Sequence, residues 1–327
     1  MELTNSQKTL ISEIRALKRA KNAILLCHNY QRPEIYEIAD FIGDSLELCR
    51  KAKDSKAKVI VFCGVYFMAE SAAILNPGMK VIIPSLGAGC ALADMITVQA
   101  LKAKKKKYPD AAVVCYVNST AAVKAECDVC CTSSNAVEVV RAMPSKRILF
   151  VPDKNLARFV AEQVPEKEII PWEGFCPIHQ RLTAEQLLLA KASYPKAKVI
   201  AHPECIDEVR EMADFVTSTS GMMKIAKESD ADEFICTTEC GMVSRMQKEM
   251  PNKKFHTLCS VCFSMKKNTL ENVLECLQTE QYEVKVPENI RVKAFAAFEK
   301  MFDISEKSSK SKSAKLKSSC SGKIYWG

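Results

Sequence analysis

Three cysteines, Cys90, Cys176 and Cys262, stand 86 residues apart along the chain, and their surroundings repeat with them. A fixed period of that length marks an architecture made of copies of one supersecondary unit, which narrows the available folds sharply. Each copy opens on an apolar run: ILLCHNY at 24–30, VVCYVN at 113–118 and VIAHPE at 199–204. A short apolar stretch then leads into small hydroxyl residues, ending at Ser45, Ser134 and Gly221. A helix-period segment follows, then a second apolar strand at 58–63, 147–151 and 233–236. Another helical pattern stops near Pro77, Pro165 or Pro251. A last short strand, at Val81, Glu168 or Lys254, runs into the loop with the spaced cysteine.

Short apolar runs alternating with helical patterns read as βα units with parallel strands. The expected fold class is therefore α/β: three homologous three-layer αβα domains with parallel sheets arranged around a pseudo-threefold axis. The expected division is an N-terminal helix in 1–22, repeats at 23–108, 109–195 and 196–280, and a C-terminal helix on the core in 281–302. A disordered tail rich in lysine and serine would fill 303–327.

Bulk properties remove several function classes. No apolar run approaches the ~18–20 residues that span a bilayer, and residues 1–22 lack the apolar centre of a secretory signal, so the expectation is a cytoplasmic protein without a membrane. The net charge of +8 raises nucleic-acid binding as an alternative. Half of it lies in 303–327, where six lysines face Asp303 and Glu306 without an apolar period, so no nucleic-acid partner is expected. The lysines of 102–107 read as the solvated end of a helix. Sixteen cysteines in a cytosolic chain point to metal or thiol chemistry rather than disulfides. Cys27, Cys49, Cys63, Cys115 and Cys276 lie in apolar runs and read as buried small hydrophobes.

Ligands of parallel α/β sheets bind beyond the carboxyl ends of the strands. His28 and Tyr30, Tyr116 and Asn118, and His202, Pro203 and Glu204 all fall in such loops, as do the three spaced cysteines. Zinc favours four protein ligands, and a site using Cys127-x-x-Cys130 with Cys259-x-x-Cys262 is the competing reading, although these pairs lie in different repeats. Three converging thiolates suit a 4Fe-4S cluster with one iron left open as a Lewis acid. Asp44-Ser45, Thr132-Ser133-Ser134 and Ser218-Thr219-Ser220 each precede a helical pattern. They read as N-caps, and if they share one cavity, as anion sites.

Taken in order, HNY at 28–30, GDS at 43–45, YVN at 116–118, TSS at 132–134, HPE at 202–204 and STSG at 218–221 resemble the motifs of quinolinate synthases. So do the cysteine contexts GAGCALAD, WEGFCPIHQ and CSVCFSMKKN. The resemblance runs from about residue 20 to about 302. It implies an enzyme that condenses iminoaspartate with dihydroxyacetone phosphate to quinolinate, phosphate and two waters in NAD biosynthesis, coupled to an aspartate-oxidising enzyme. It also implies one 4Fe-4S cluster on Cys90, Cys176 and Cys262. His28, Ser45, Tyr116, Asn118, Ser133, His202, Pro203, Glu204 and Thr219 would contact substrate. Tyr30, Tyr116, His202 and Glu204 would act in catalysis, with Glu204 as general base. In the last motif the chain has His256 where some relatives have a further cysteine, which leaves Cys259 beside Cys262. Alternatives are another open-iron hydro-lyase and a non-catalytic iron–sulfur redox sensor.

Overall fold

A computed structural model describes residues 3–319, with side chains through residue 308. Helix α1 (Asn5–Ala20) leads into the first unit, which holds β1 (Ala23–His28), β2 (Phe41–Gly43), α2 (Ser45–Lys53), β3 (Val59–Cys63), α3 (Tyr66–Leu75), β4 (Lys80–Ile82) and α4 (Val98–Lys107). The second unit holds β5 (Ala112–Tyr116), α5 (Ala121–Lys124), β6 (Val129–Cys131), α6 (Ala136–Ala142), β7 (Arg147–Val151), α7 (Lys154–Gln163), β8 (Glu168–Pro171), α8 (Pro177–Gln180) and α9 (Ala184–Ser193). The third holds β9 (Lys198–Ala201), α10 (Asp207–Glu211), β10 (Phe215–Val216), α11 (Thr219–Glu228), β11 (Glu233–Thr237), α12 (Cys240–Glu249), β12 (Lys254–Thr257) and α13 (Leu270–Thr279). Helix α14 (Glu288–Ser319) follows.

All three sheets are parallel, four-stranded and identical in order: β2-β1-β3-β4, β6-β5-β7-β8 and β10-β9-β11-β12. The strand order reverses between the first and third strands of each sheet, the crevice where ligands of open α/β sheets sit. The central strands β3 and β5 are buried at every residue, as strands covered on both faces must be. One acidic residue recurs as a fixing point in each unit. Leu25 N–H donates to Asp40 at 2.7 Å, Val113 N–H to Asp128 at 2.7 Å and Val199 N–H to Asp214 at 2.8 Å. Each pair ties the start of the first strand to the segment entering the second.

The last helix of each unit covers the next unit rather than its own. Helix α4 reaches the second unit, where Lys104 donates to Pro171 O and Lys105 to Glu126 O, both at 2.7 Å. These lysines therefore stitch two units together and are not merely a solvated end. Helix α9 buries Leu187 with Val199, Val209 and Ile235 of the third unit. Helix α13 returns to the first unit, burying Leu270, Val273, Cys276 and Leu277 with Ile11 and Ile14 of α1 and with Leu25 and Val61. This handover closes the three units into a ring. Each crossing helix is N-capped by a threonine seven residues past the spaced cysteine: Thr97, Thr183 and Thr269 accept from Ala100, Gln186 and Asn272 N–H. Such a cap satisfies one of the helix's four free N–H groups.

Residues from 303, expected to open a disordered tail, continue helix α14. Helix α14 buries Ala294, Ala297, Phe298, Met301 and Phe302, and Ile304 still packs on the same core. Ser305 is buried and accepts from Asn135 Nδ2 at 2.9 Å. The apolar residues recur every three or four positions, so the helix keeps a face to bury past residue 302. Its backbone is helical to Ser319, and the rest of the expected tail lies outside the described residues. No described helix is long and apolar enough to cross a membrane.

Leu277 is fully buried where α13 closes the ring. Leu277→Ala should lower the urea-unfolding free energy by about 2–5 kcal/mol. Leu189→Ala on α9, where the side chain is 65% exposed, should change it by no more than about 0.5 kcal/mol.

Candidate active site

The carboxyl ends of all three sheets face one cavity of about 250 Å³. It is lined by Cys90, Cys176 and Cys262, one from each unit. Of the other residues expected to carry chemistry, His28, Tyr30, Ser45, Tyr116, Asn118, Ser133, His202, Glu204 and Thr219 line the same cavity. Pro203 does not. It turns to an outer cleft of about 1090 Å³, because the backbone after β9 presents His202 and Glu204 inward and the residue between them outward. Ser133 lines both spaces. Cys259 is exposed, with a left-handed φ of 57°, and lies outside the cavity that Cys262 lines.

The cysteine loops are held by repeated devices. Asp153, fully buried at the N-cap of α7, accepts from Leu156 N–H at 2.8 Å and from Cys176 N–H at 3.1 Å. Glu239, equally buried at the N-cap of α12, accepts from Gly241 N–H at 2.6 Å and from Cys262 N–H at 3.2 Å. In the first unit the corresponding tie is backbone only, from Tyr66 N–H to Ala88 O at 2.8 Å. Burial pushes the Cys90 thiol up to about 12, and burial likewise raises Cys176 and Cys262. The negative charge of one thiolate is felt by the next, Cys262 by Cys90 and Cys90 by Cys176. Backbone N–H groups of Leu92 and Ala93, of His179, and of Ser264 and Met265 point at the three sulfurs and oppose that penalty.

This donor set fits an iron–sulfur cluster held at three corners. Three desolvated, mutually repelling thiolates gain most from a cationic metal centre among them, and N–H donors to sulfur suit cluster ligands. No fourth cysteine lines the cavity among the described residues. Zinc pairing through Cys127-x-x-Cys130 and Cys259-x-x-Cys262 is not supported, since Cys127 belongs to the second unit's own interior, where its Sγ donates to Val123 O at 3.1 Å.

Beside the thiols runs a buried polar chain. Tyr30 Oη lies 2.7 Å from Thr238 Oγ1, which lies 2.9 Å from His179 Nε2. His179 Nδ1 is 2.7 Å from Glu204 Oε2, an ion-pair distance with the ring N–H out of line for a straight hydrogen bond. Tyr116 Oη also bonds Glu204, and Asn118 Nδ2 donates to its Oε1 at 3.4 Å. The His202 ring stacks on His179, centroids 4.5 Å apart. Burial alone would raise the Glu204 carboxyl, yet the adjoining His179, His202 and the Tyr116 hydroxyl hold it at about 2. Burial drives His28 and His202 down to about 3, and pushes both tyrosines well above their ordinary range with the Glu204 charge adding to the effect.

The hydroxyl motifs divide between capping and lining. Asp44 caps α2 through a reciprocal bond with Glu47, and Ser218 caps α11, leaving Ser45 and Thr219 as first helical residues at the cavity wall. In the second unit the N-cap is Asn135, one residue beyond the expected motif. Its side chain is committed to Thr132 N–H and Ser305 instead of to its own helix. Ser220 bonds Asp44, and Asn29 Nδ2 donates to Thr219 Oγ1 at 2.8 Å while Arg245 bonds Asn29 Oδ1, so the first and third units are latched beside the cavity.

Thr238, Arg245, Glu239 and Asp153 lie outside the sequence motifs, and Lys266 lies inside CSVCFSMKKN without a role read from it. Lys266 donates to Tyr30 O at 2.6 Å and pairs with Glu239 at 3.1 Å. The available signal was position, since Asp153 and Glu239 each stand two residues past the third strand of their unit, β7 and β11.

His28 is buried neutral, so between its folded value near 3 and its ordinary value near 6.5 the unfolded chain binds the extra proton. That contribution to stability is complete above the unfolded value and is lost as pH falls toward the folded one. Its slope is about 1.4 kcal/mol per pH unit. His28→Asn keeps an acceptor for Tyr30 N–H and should flatten the measured pH dependence of unfolding by up to one proton between pH 6 and 4 (roughly the window's interior).

Comparison with known proteins places this arrangement in context. The family described as Quinolinate synthetase A protein (NadA) matches residues 12–303. The chain is 54% identical to a quinolinate synthase of Clostridium kluyveri over 297 residues, covering 90% of this chain and 98% of that one. It is 51% identical to a quinolinate synthase of Alkaliphilus metalliredigens over 301 residues, 91% and 99% of the two chains. It is 50% identical to quinolinate synthase 2 of Methanosarcina acetivorans over 300 residues, 91% and 96% of the two chains.

Proposed function

This chain belongs to the quinolinate synthase family, and on that premise we propose that its cavity condenses iminoaspartate with dihydroxyacetone phosphate. The products are quinolinate, phosphate and two waters, for NAD biosynthesis. The observation that carries the reading is the convergence of one cysteine from each unit on a cavity that also gathers His28, Tyr116, Asn118, His202 and Glu204.

Cys90, Cys176 and Cys262 would hold one 4Fe-4S cluster, which when bound supplies an iron without a protein ligand to act as a Lewis acid toward substrate oxygen. The chain's own residues do the rest. Both substrates are anions, and Ser45, Ser133, Thr219 and Asn118 offer neutral donors to them at the cavity wall. The first turns of α2 and α11 add free N–H groups and partial positive charge at Ser45 and Thr219. Buried carboxylates and a phosphate are stabilised by such dipoles without a counter-charge that would have to be desolvated.

Proton handling falls to the polar chain. Glu204, held at about 2, stays a carboxylate at neutral pH and is a weak base there. Its role in this arrangement is to orient His179 and Tyr116, which it contacts directly. His179 passes a proton by way of the Thr238 hydroxyl to or from Tyr30, whose hydroxyl faces the cavity end of that chain. Tyr116, hydrogen-bonded to Glu204, is a second hydroxyl donor in the cavity. His202, neutral at working pH, presents a ring edge to the substrate while its Nδ1 accepts from Glu204 N–H at 3.3 Å. In this proposal His179 takes the proton and relays it through Thr238 to Tyr30, and Glu204, expected as the general base, serves as the carboxylate that orients them. An aspartate-oxidising enzyme would supply iminoaspartate, and the cytoplasm is the compartment for both.

Anaerobic reconstitution with iron and sulfide should give about four irons per chain in the parent protein. Cys90→Ser, Cys176→Ser and Cys262→Ser should each lose most of that iron and its absorbance; unchanged iron in any one of them removes that residue from the ligand set. Tyr30→Phe should keep the iron while phosphate release in the presence of iminoaspartate falls by about 10²–10⁴-fold.

A further inference from the structure

One cluster cysteine belongs to a second donor set that the condensation does not use as a metal site. Ligand atoms of Cys176, His179 and Glu204 lie within 4.8 Å of one another. We propose that, in the cluster-free protein, these three residues form a mononuclear site for a divalent transition-metal ion, with zinc as the best-fitting class. The consequence for assembly rests on the reading of Cys176 as a cluster ligand; the site itself does not.

A thiolate, an imidazole and a carboxylate are the donor types that borderline-soft ions such as zinc accept, and three protein donors leave a fourth position free. Cys176 and His179 are three residues apart, at the N-cap and third position of the single-turn helix α8, so the local backbone already sets their spacing. Glu204 arrives from the loop after β9 in the next unit and stands 2.7 Å from His179 Nδ1. All three side chains line the cavity, which is the direction left for the fourth position.

The hydrogen bonding around His179 is that of a ring prepared to ligate. Its Nε2 lies 2.9 Å from Thr238 Oγ1, which fixes the proton on that nitrogen when the threonine oxygen accepts. Its Nδ1 is buried, aimed into the set, and has no straight hydrogen-bond partner. A metal-bound histidine typically donates its other N–H to a fixed acceptor in this way. His202 stacks on the same ring but stays out of the set, since its Nδ1 accepts the Glu204 N–H at 3.3 Å. The Glu204 carboxylate keeps Asn118 as an outer partner at 3.4 Å. Binding releases to solvent the Cys176 thiol proton and any proton that His179 Nδ1 holds toward Glu204, and it moves no electron.

A single ion here and a cluster on Cys90, Cys176 and Cys262 compete for one sulfur. Zinc loading therefore blocks cluster assembly without touching Cys90 or Cys262. Thiophilic ions are expected to poison the nascent protein at this point rather than the finished holoenzyme.

The test uses full-length protein stripped of metal anaerobically and titrated with Zn²⁺ against a chromophoric chelator, then with Co²⁺ as a spectroscopic probe. The expected result is one zinc per chain in the parent protein and in Cys90→Ser and Cys262→Ser. Cys176→Ser and His179→Ala should bind at least tenfold more weakly. Co²⁺ should give the charge-transfer band of one thiolate. Glu204→Gln gives a second route if His179→Ala melts early, and it too should weaken binding. Two results overturn the proposal: no zinc retained by the parent protein, or a loss in Cys90→Ser or Cys262→Ser equal to that in Cys176→Ser, which would place the ion among the three thiolates. Preloaded zinc should slow iron uptake severalfold in the parent protein and leave the His179→Ala rate unchanged. Iron counts in Cys90→Ser judge the cluster reading separately, because that variant keeps every zinc ligand.

Discussion

The handover of one helix from each unit to the next is the constraint on which the rest depends. A four-stranded parallel sheet must be covered on both faces, and a unit of this length does not supply both covers from its own helices. Helices α4, α9 and α13 supply the missing cover to the neighbouring sheet, and α13 shares that task with α1 at the point of closure. The segments that carry Cys90, Cys176 and Cys262 lead into these helices, in the second unit by way of the single turn α8. Their position is therefore set by the packing that closes the ring. Leu187 and Leu277, far from any reacting atom, help fix where the sulfurs stand.

Closure also decides the electrostatics of the cavity. His28, His202, Tyr30, Tyr116 and Glu204 are ordinary side chains at the ends of strands until the three units shut water out. Burial then suppresses charge on the histidines and tyrosines, and only Glu204 keeps its charge, because His179 and Tyr116 meet it from a different unit. One fixed carboxylate in a desolvated cavity orders its neighbours more strongly than it would in water. The same arrangement places a thiolate and an imidazole next to that carboxylate, which is why a site suited to a cluster also has the makings of a site for a single ion.

Much of the fold was legible because the repeat is written in residue types whose roles are local. Apolar runs bounded by glycine, proline and hydroxyl residues gave the strands, and Pro77, Pro165 and Pro251 follow the ends of α3, α7 and α12 closely. The triplet Thr97, Thr183 and Thr269 carries the same period of 86 residues and could have been read as three helix starts. Other features were not legible. Thr238 has no motif of its own and matters only because Tyr30 and His179 come from elsewhere to meet its hydroxyl. Lys104 and Lys105 look like any basic helix end until the second unit offers them carbonyls. Pro203 shares a motif with two inward residues and lines the outer cleft instead, because the chain after β9 turns there, with Cys205 N–H donating to His202 O at 3.0 Å.

What the sequence by itself determined was the unit: its strand order of elements, its capped helices, its loops and the residue types they display, all set by backbone propensity and hydrophobic periodicity over a few turns of chain. What only the tertiary structure decided was who meets whom across units, including the pairing of Glu204 with His179, the latch between Asn29 and Thr219, and the length of α14 that still has a core to bury. Those contacts join residues distant in sequence, and no local preference encodes them. They arise from the one way three half-covered sheets can share their helices and exclude water.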